Sequence, residues 1–317
     1  MSVQTNLKPP KVMPVSKEHA TAVLEYCNEH GETETLNYYD ITIDTLHRYQ
    51  RKARFHETTQ AKILLLDIET APLHGNFWSI GKQYVTPEQI EKDWFILGYS
   101  AKWLLNTEMM SDFVTSEEAI NRDDKRIMES AWKLVTEADV IIGHNIKRFD
   151  MPRLKTRFFL NGMKPPMPYT LLDTLQIAYK EFAFASSKLN YLGQIILQKA
   201  KIKTDRSLWE RCEKGDQEAL DYMEKYCRMD TELEEGVYIE LRPWCTGHPN
   251  LPLIMDAKEQ CCVNCGGFEF TDEEGFYPTQ QNRYPAVRCS SCGAINHKKH
   301  SVITTEQRKV MLVPNAR

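Results

Sequence analysis

The chain has no run of the roughly 20 apolar residues needed to span a bilayer, and its first residues, MSVQTNLKPPKVMPVSKEH, hold no apolar signal core. No membrane partner is expected, and the sequence reads as cytoplasmic. It also lacks a global excess of either charge, since 40 Lys and Arg against 44 Asp and Glu give a net charge of −4. No overall positive field attracts a polyanion, so any nucleic-acid surface must be local. Internal repeats and low-complexity tracts are missing as well. With 42% hydrophobic and 26% charged residues the composition is that of a chain that folds a core. Its 317 residues suffice for one sizeable α/β domain with small appendages.

What is present falls into three stretches. Residues 16–55 read as helix, helix, turn and helix, with Gly31 closing the first helix and Ala22, Val23, Tyr26, Leu36, Ile41, Leu46 and Tyr49 spaced to share a small core. Residues 61–242 alternate strands and helices: a buried strand at Ile63 to Leu66, strands at Phe95 to Lys102 and Met109 to Val114, an amphipathic helix from Asp123 to Glu137, and a strand from Val140 to Gly143. That is an α/β pattern. Pro243 to Pro252, with three prolines and a glycine, reads as a linker to a cysteine-bearing tail at residues 256–303.

Carboxylates recur at telling places in the middle stretch. Asp67 and Glu69 end the first strand two residues apart, so the strand period puts both on one face, able to share a metal. Asp150 follows the run from Ile141 to Phe149 at a helix start, where it also suits the helix dipole. Tyr226 and Asp230 lie four apart on a helix reaching from Asp216 to Leu241, hence stacked on one face. Singly, each is ordinary polar sequence. Together they supply the hard oxygen ligands that Mg²⁺ or Mn²⁺ prefers. Two such ions about 4 Å apart can activate a water and stabilise the leaving oxygen of a phosphodiester. A phenol, ordinarily ionising near pH 10, stays protonated and is suited to orienting that water.

LLLDIET, IIGHNIKRFDMPRL and YCRMDTEL resemble the three exonuclease motifs of the DEDDy family, particularly the proofreading domains of family B DNA polymerases. The resemblance covers roughly residues 61–240 and implies a ribonuclease-H-like fold, a mixed sheet flanked by helices, and 3′→5′ removal of nucleotides. Position by position it makes Asp67, Glu69, Asp150 and Asp230 the ligands of two Mg²⁺ or Mn²⁺ ions and Tyr226 the tyrosine that distinguishes this branch. Asn145 matches a residue beside the substrate strand, and Lys188, in SKLNYL, is a candidate phosphate contact. The chain has no room for a polymerase domain and is similar instead to free-standing nucleases of bacteria and their phages, with single-stranded DNA or 3′ ends as the expected substrate. RNA trimming and a non-catalytic DNA-binding adaptor are the competing functions.

The flanks carry their own chemistry. In the N-terminal stretch the third helix holds Arg48 and Arg51 among Thr42, Asp44, Thr45, His47, Gln50, Lys52 and Arg54, which suits a recognition helix of a helix-turn-helix; a protein-docking arm is the alternative. In the tail, Cys262 and Cys265 are separated by 23 residues from Cys289 and Cys292. Two such pairs, each followed by glycine, predict a zinc ribbon around one structural Zn²⁺, which would supply folding free energy to a short segment. Cys261 in place of Cys262, and His297 or His300, remain alternative ligands. Arg283, Arg288 and Lys298 with Phe268, Phe276 and Tyr277 suit nucleic-acid contact, or docking of a replication or repair protein. Cys27, Cys212 and Cys227 read as packed thiols.

Overall fold

The computed structural model describes residues 17–43, 45, 46, 49, 61–79, 81, 84–255 and 257–312. It divides into two compact units, Met1–Glu57 and Thr58–Arg317. In the first, α1 (Lys17–His30) and α2 (Glu32–Tyr39) are joined by Gly31, whose φ of 82° permits the reversal. Val23, Leu46 and Tyr49 are buried with Leu24, Cys27, Leu36, Tyr39 and Ile41 around them. The expected Ala22 is exposed instead, and Tyr26 stacks on Tyr38. Arg48 and Arg51, the candidate substrate contacts of this stretch, lie outside the described residues.

The second unit is built on a five-stranded mixed sheet in the order β5-β4-β1-β6-β7. Its strands are β1 (Ile63–Thr70), β4 (Ile96–Trp103), β5 (Met109–Phe113), β6 (Val140–Gly143) and β7 (Thr170–Asp173). β1 pairs antiparallel with β4 and parallel with β6. Its central place explains the unbroken apolar run from Ile63 to Leu66, buried on both faces. A short ribbon, β2 (His74–Gly75) with β3 (Ile90–Lys92), follows β1.

The helices cover the sheet. They are α3 (Ser116–Asn121), α4 (Lys125–Glu137), α5 (Asp150–Leu160), α6 (Thr174–Glu181), α7 (Leu189–Leu197), α8 (Arg206–Cys212) and α9 (Gln217–Leu241). Leu64, Leu66 and Ile68 pack with Ile127, Met128, Ala131 and Val135 of α4 and with Leu154 and Phe158 of α5. Buried Asp124 ties this layer together, accepting from Ile96 N at 3.0 Å and pairing with Arg157 Nε at 2.6 Å. The alternate face of β1, bearing Asp67 and Glu69, is turned to α9, which docks through Ser100 Oγ donating to Cys227 O at 2.9 Å and Lys102 pairing with Glu235 at 2.5 Å. Gly98 opposes Phe113 across the β4–β5 pair, where a Cβ would come within 2.3 Å of the ring.

The proline-rich segment after α9 is packed: it forms a 3-10 turn at Arg242–Trp244 and α10 (Leu251–Ile254), with Cys245 and Leu251 buried. Beyond it, β8 (Phe270–Pro278), β9 (Arg283–Cys289) and β10 (Ile295–His297) form a separate antiparallel sheet, followed by α11 (Thr305–Val310). Among the described residues no helix is long and apolar enough to cross a membrane.

Candidate active site

The strand end, the helix start and the long helix named by the sequence converge. Asp67 and Glu69 sit beside the β1 register shift at Glu69/Thr70, the kind of irregularity that re-aims side chains at a strand end. Ile68 N, between them, donates to Asp150 Oδ1 at 3.3 Å, which joins the first residue of α5 to the strand. From α9, the Cys227 thiol reaches Asp67 Oδ2 at 3.4 Å, and ligand atoms of Asp67, Glu69 and Cys227 all lie within 4.8 Å of one another. Asp230, one turn beyond Tyr226 on the same face of α9, is 3% exposed.

Packing acids this closely has an electrostatic consequence. Burial, then the charge of Asp230, pushes the Asp67 carboxyl up to about 7, against the opposing influence of Lys201 and the Cys227 thiol. Glu69 is held well above its usual range by burial and by Asp67, and Asp150 likewise, although Ile68 N favours its ionised form. Burial also raises Asp230, outweighing the Lys201 ammonium that touches it. Tyr226 is pushed up by burial and by Asp230, so its hydroxyl keeps its proton. Such a cluster is poised to exchange protons for a divalent cation, and oxygen donors fit Mg²⁺ or Mn²⁺.

Three groups complete the site without having been foreseen. Lys201 Nζ lies 2.6 Å from Asp230 Oδ2 and 5.6 Å from the Tyr226 ring centre; burial disfavours its charge, but Asp230, Asp67 and Glu69 more than restore it. Trp209 Nε1 donates to Glu69 Oε2 at 3.0 Å and its ring meets that of Tyr226 edge-on. Glu234, one turn past Asp230 and 1% exposed, accepts from Thr174 Oγ1 at 3.2 Å and is raised well above its usual range by burial and by Asp67 and Asp150. None belongs to a motif; helical spacing of four from Asp230 is the signal that could have found Glu234. Cys227 is packed as read, and its contact with Asp67 is additional.

Asn145 takes a left-handed φ of 72° at the loop between β6 and α5, its N–H held by Asp173 Oδ1 at 3.0 Å. Lys188 is exposed at the N-cap of α7.

In the tail, Cys262, Cys265, Cys289 and Cys292 gather, all buried, with sulfurs within 4.8 Å of one another. The Sγ separations of 3.7 Å for Cys262–Cys292 and 3.6 Å for Cys265–Cys289 fit the edges, about 3.8 Å, of a tetrahedron with zinc–sulfur bonds near 2.3 Å. Gly267 N and Asn296 Nδ2 point at sulfurs, at 3.4 Å to Cys265 and 3.3 Å to Cys262. Cys261 is outside this group, and His297 stacks on Tyr277.

Sheet order, flanking helices and clustered acids define a ribonuclease-H-like nuclease fold. The sequence matches the RNase H superfamily over residues 64–241, more than half its length, and the chain belongs to that superfamily. Among curated proteins no sequence matches it.

Proposed function

We propose that the protein is a 3′→5′ exonuclease that shortens single-stranded DNA from its 3′ end, with Asp67, Glu69, Asp150 and Asp230 holding two Mg²⁺ or Mn²⁺ ions. The convergence of these four acids with Tyr226, Lys201 and Trp209 carries this reading. When bound, the ions supply an acidified water and neutralise charge on the phosphate. Around them Tyr226, kept protonated, donates a hydrogen bond that fixes the attacking water. Trp209 holds Glu69 in one orientation, and Lys201 keeps Asp230 in place. The water oxygen bonds to phosphorus as the bond to the upstream O3′ breaks, and that oxygen takes up a proton as a mononucleotide leaves. Asn145 and Lys188 are assigned to the substrate strand. The N-terminal helices, with Arg48 and Arg51, tilt the substrate toward DNA, and one Zn²⁺ in the four-cysteine site is structural.

The test follows a 5′-labelled DNA strand and a matched RNA with Mg²⁺ or Mn²⁺, using wild type, Asp67→Ala and Asp230→Ala. A DNA ladder shortening from the 3′ end, lost in both variants, is expected. Cleavage indifferent to both substitutions rejects this carboxylate site, and a ladder on RNA alone replaces DNA as the substrate. Absence of product on either strand with either metal leaves an adaptor on a nuclease fold.

A further inference from the structure

The four-cysteine site is interlocked with the end of α9. Asn264, inside the first cysteine pair and 4% exposed, donates from Nδ2 to Arg242 O at 2.9 Å and Cys245 O at 3.3 Å, the carbonyls that terminate the helix and its 3-10 turn. Leu251 N donates to Val263 O at 3.0 Å. Tyr238 of α9 shares a hydrogen bond of 2.8 Å with His248 Nε2, whose Nδ1 lies 2.8 Å from Pro249 O. Arg242, the C-cap residue of α9, is 3% exposed; its guanidinium lies 5.7 Å from the Tyr238 ring centre, and negative charge on Tyr238, Cys265, Cys292 and Cys262 favours its protonated form against burial.

A buried guanidinium is costly unless negative charge faces it. Four thiolates around a divalent ion carry two net negative charges, and negative charge on these cysteines favours the protonated Arg242 guanidinium. We infer that zinc at Cys262, Cys265, Cys289 and Cys292 clamps the C-terminal end of α9, with Arg242 as its internal counter-charge, so that occupancy of the tail governs the helix bearing Tyr226 and Asp230. The ribbon is thereby a working part of the nuclease unit. This rests on the zinc reading of the cysteines and is independent of the proposed cleavage chemistry.

The test takes the full-length, reduced protein in excess Mg²⁺, counts zinc by mass spectrometry, and follows amide hydrogen exchange before and after a zinc-selective chelator. One zinc per chain is expected. Its removal should speed exchange about tenfold or more in residues 235–245, spreading toward Asp230, while β6 stays protected; added zinc reverses this. Arg242→Met should weaken zinc binding about 10–100-fold, with Arg242→Lys between. No bound zinc overturns both the metal site and the clamp. Bound zinc whose removal leaves α9 exchange unchanged overturns the clamp alone, and wild-type zinc affinity in Arg242→Met overturns the counter-charge role.

Discussion

Asp67 shows what a single residue contributes. Its carboxyl, ordinarily titrating at 3.8, is pushed up to about 7, so between those values the folded chain without divalent ions binds a proton that the unfolded chain does not. The corresponding stability is fully present below about pH 4 and is lost as pH rises through about 7. With no Mg²⁺ or Mn²⁺ added, Asp67 should therefore lower the melting temperature at pH 8 relative to pH 5.5, against buried His144 and His248, whose depressed pKa of about 4 adds stability as pH rises toward 6.5. Asp67→Asn, which cannot ionise, should flatten that difference, and Lys201→Met should deepen it by about 1–3 kcal/mol, less than the roughly 3–5 of a fully buried pair. Mn²⁺ at pH 8 should restore the loss. Thermal melts at both pH values decide the matter; an Asp67→Asn profile parallel to wild type would remove Asp67 as the source. The motif acids were legible because each sits at a recognisable position along its own element. Lys201, Trp209 and the Cys227–Asp67 contact were not, since they join residues 29, 140 and 160 positions apart, which no local pattern encodes.

Elements have to be held at their junctions, and the turn from β6 into α5 rests on one side chain from β7. Asp173 caps α6 by accepting from Leu175 N at 3.1 Å and Gln176 N at 3.4 Å, and it also accepts from Asn145 N at 3.0 Å and Lys147 N at 3.3 Å. The turn is tight as well, since a Cβ on Gly143 would meet Ile146 at 2.6 Å. Asp173→Ala removes a cap, worth about 0.5–2 kcal/mol, and strips two loop amides of their acceptor at about 1–3 kcal/mol for a buried group. A net loss of about 2–4 kcal/mol is expected from denaturant titration, with faster amide exchange at residues 144–149 and a much smaller effect for Asp173→Asn. Unchanged exchange in that loop would mean that Asp150 is positioned by β1 alone. The sequence revealed β1, β4, β5, β6 and α9 because their apolar patterns are local; it did not reveal the four-residue β7, and it missed this brace because the amides lie 26 and 28 residues away. The packing of Pro243 to Pro252 escaped it for a similar reason: prolines mark turns, but only Asn264 and Val263 reveal what the turns rest against.

At the scale of the whole molecule, the division into Met1–Glu57 and Thr58–Arg317 separates two cores. Val23, Leu46 and Tyr49 close the small core within the first unit, whereas every carboxylate of the candidate site and all four clustered cysteines belong to the second. A chain starting at residue 58 should consequently keep the main unfolding transition. A change of 1 kcal/mol moves the midpoint of a domain this size by about 2–4 °C, and the shift should not exceed that. Binding should respond differently. If Arg48, Arg51 and their neighbours touch phosphates, the shortened protein should lose affinity for DNA at low salt, and the slope of log affinity against log salt should fall by about one for each contact removed. Cleavage of a short saturating strand should persist, because the residues assigned to chemistry are all retained. Calorimetry, a salt series of binding titrations and the labelled-strand assay read these three quantities separately. Loss of cleavage with DNA affinity and melting unchanged would sink this division, for it would mean that the N-terminal unit shapes the active site instead of delivering substrate to it.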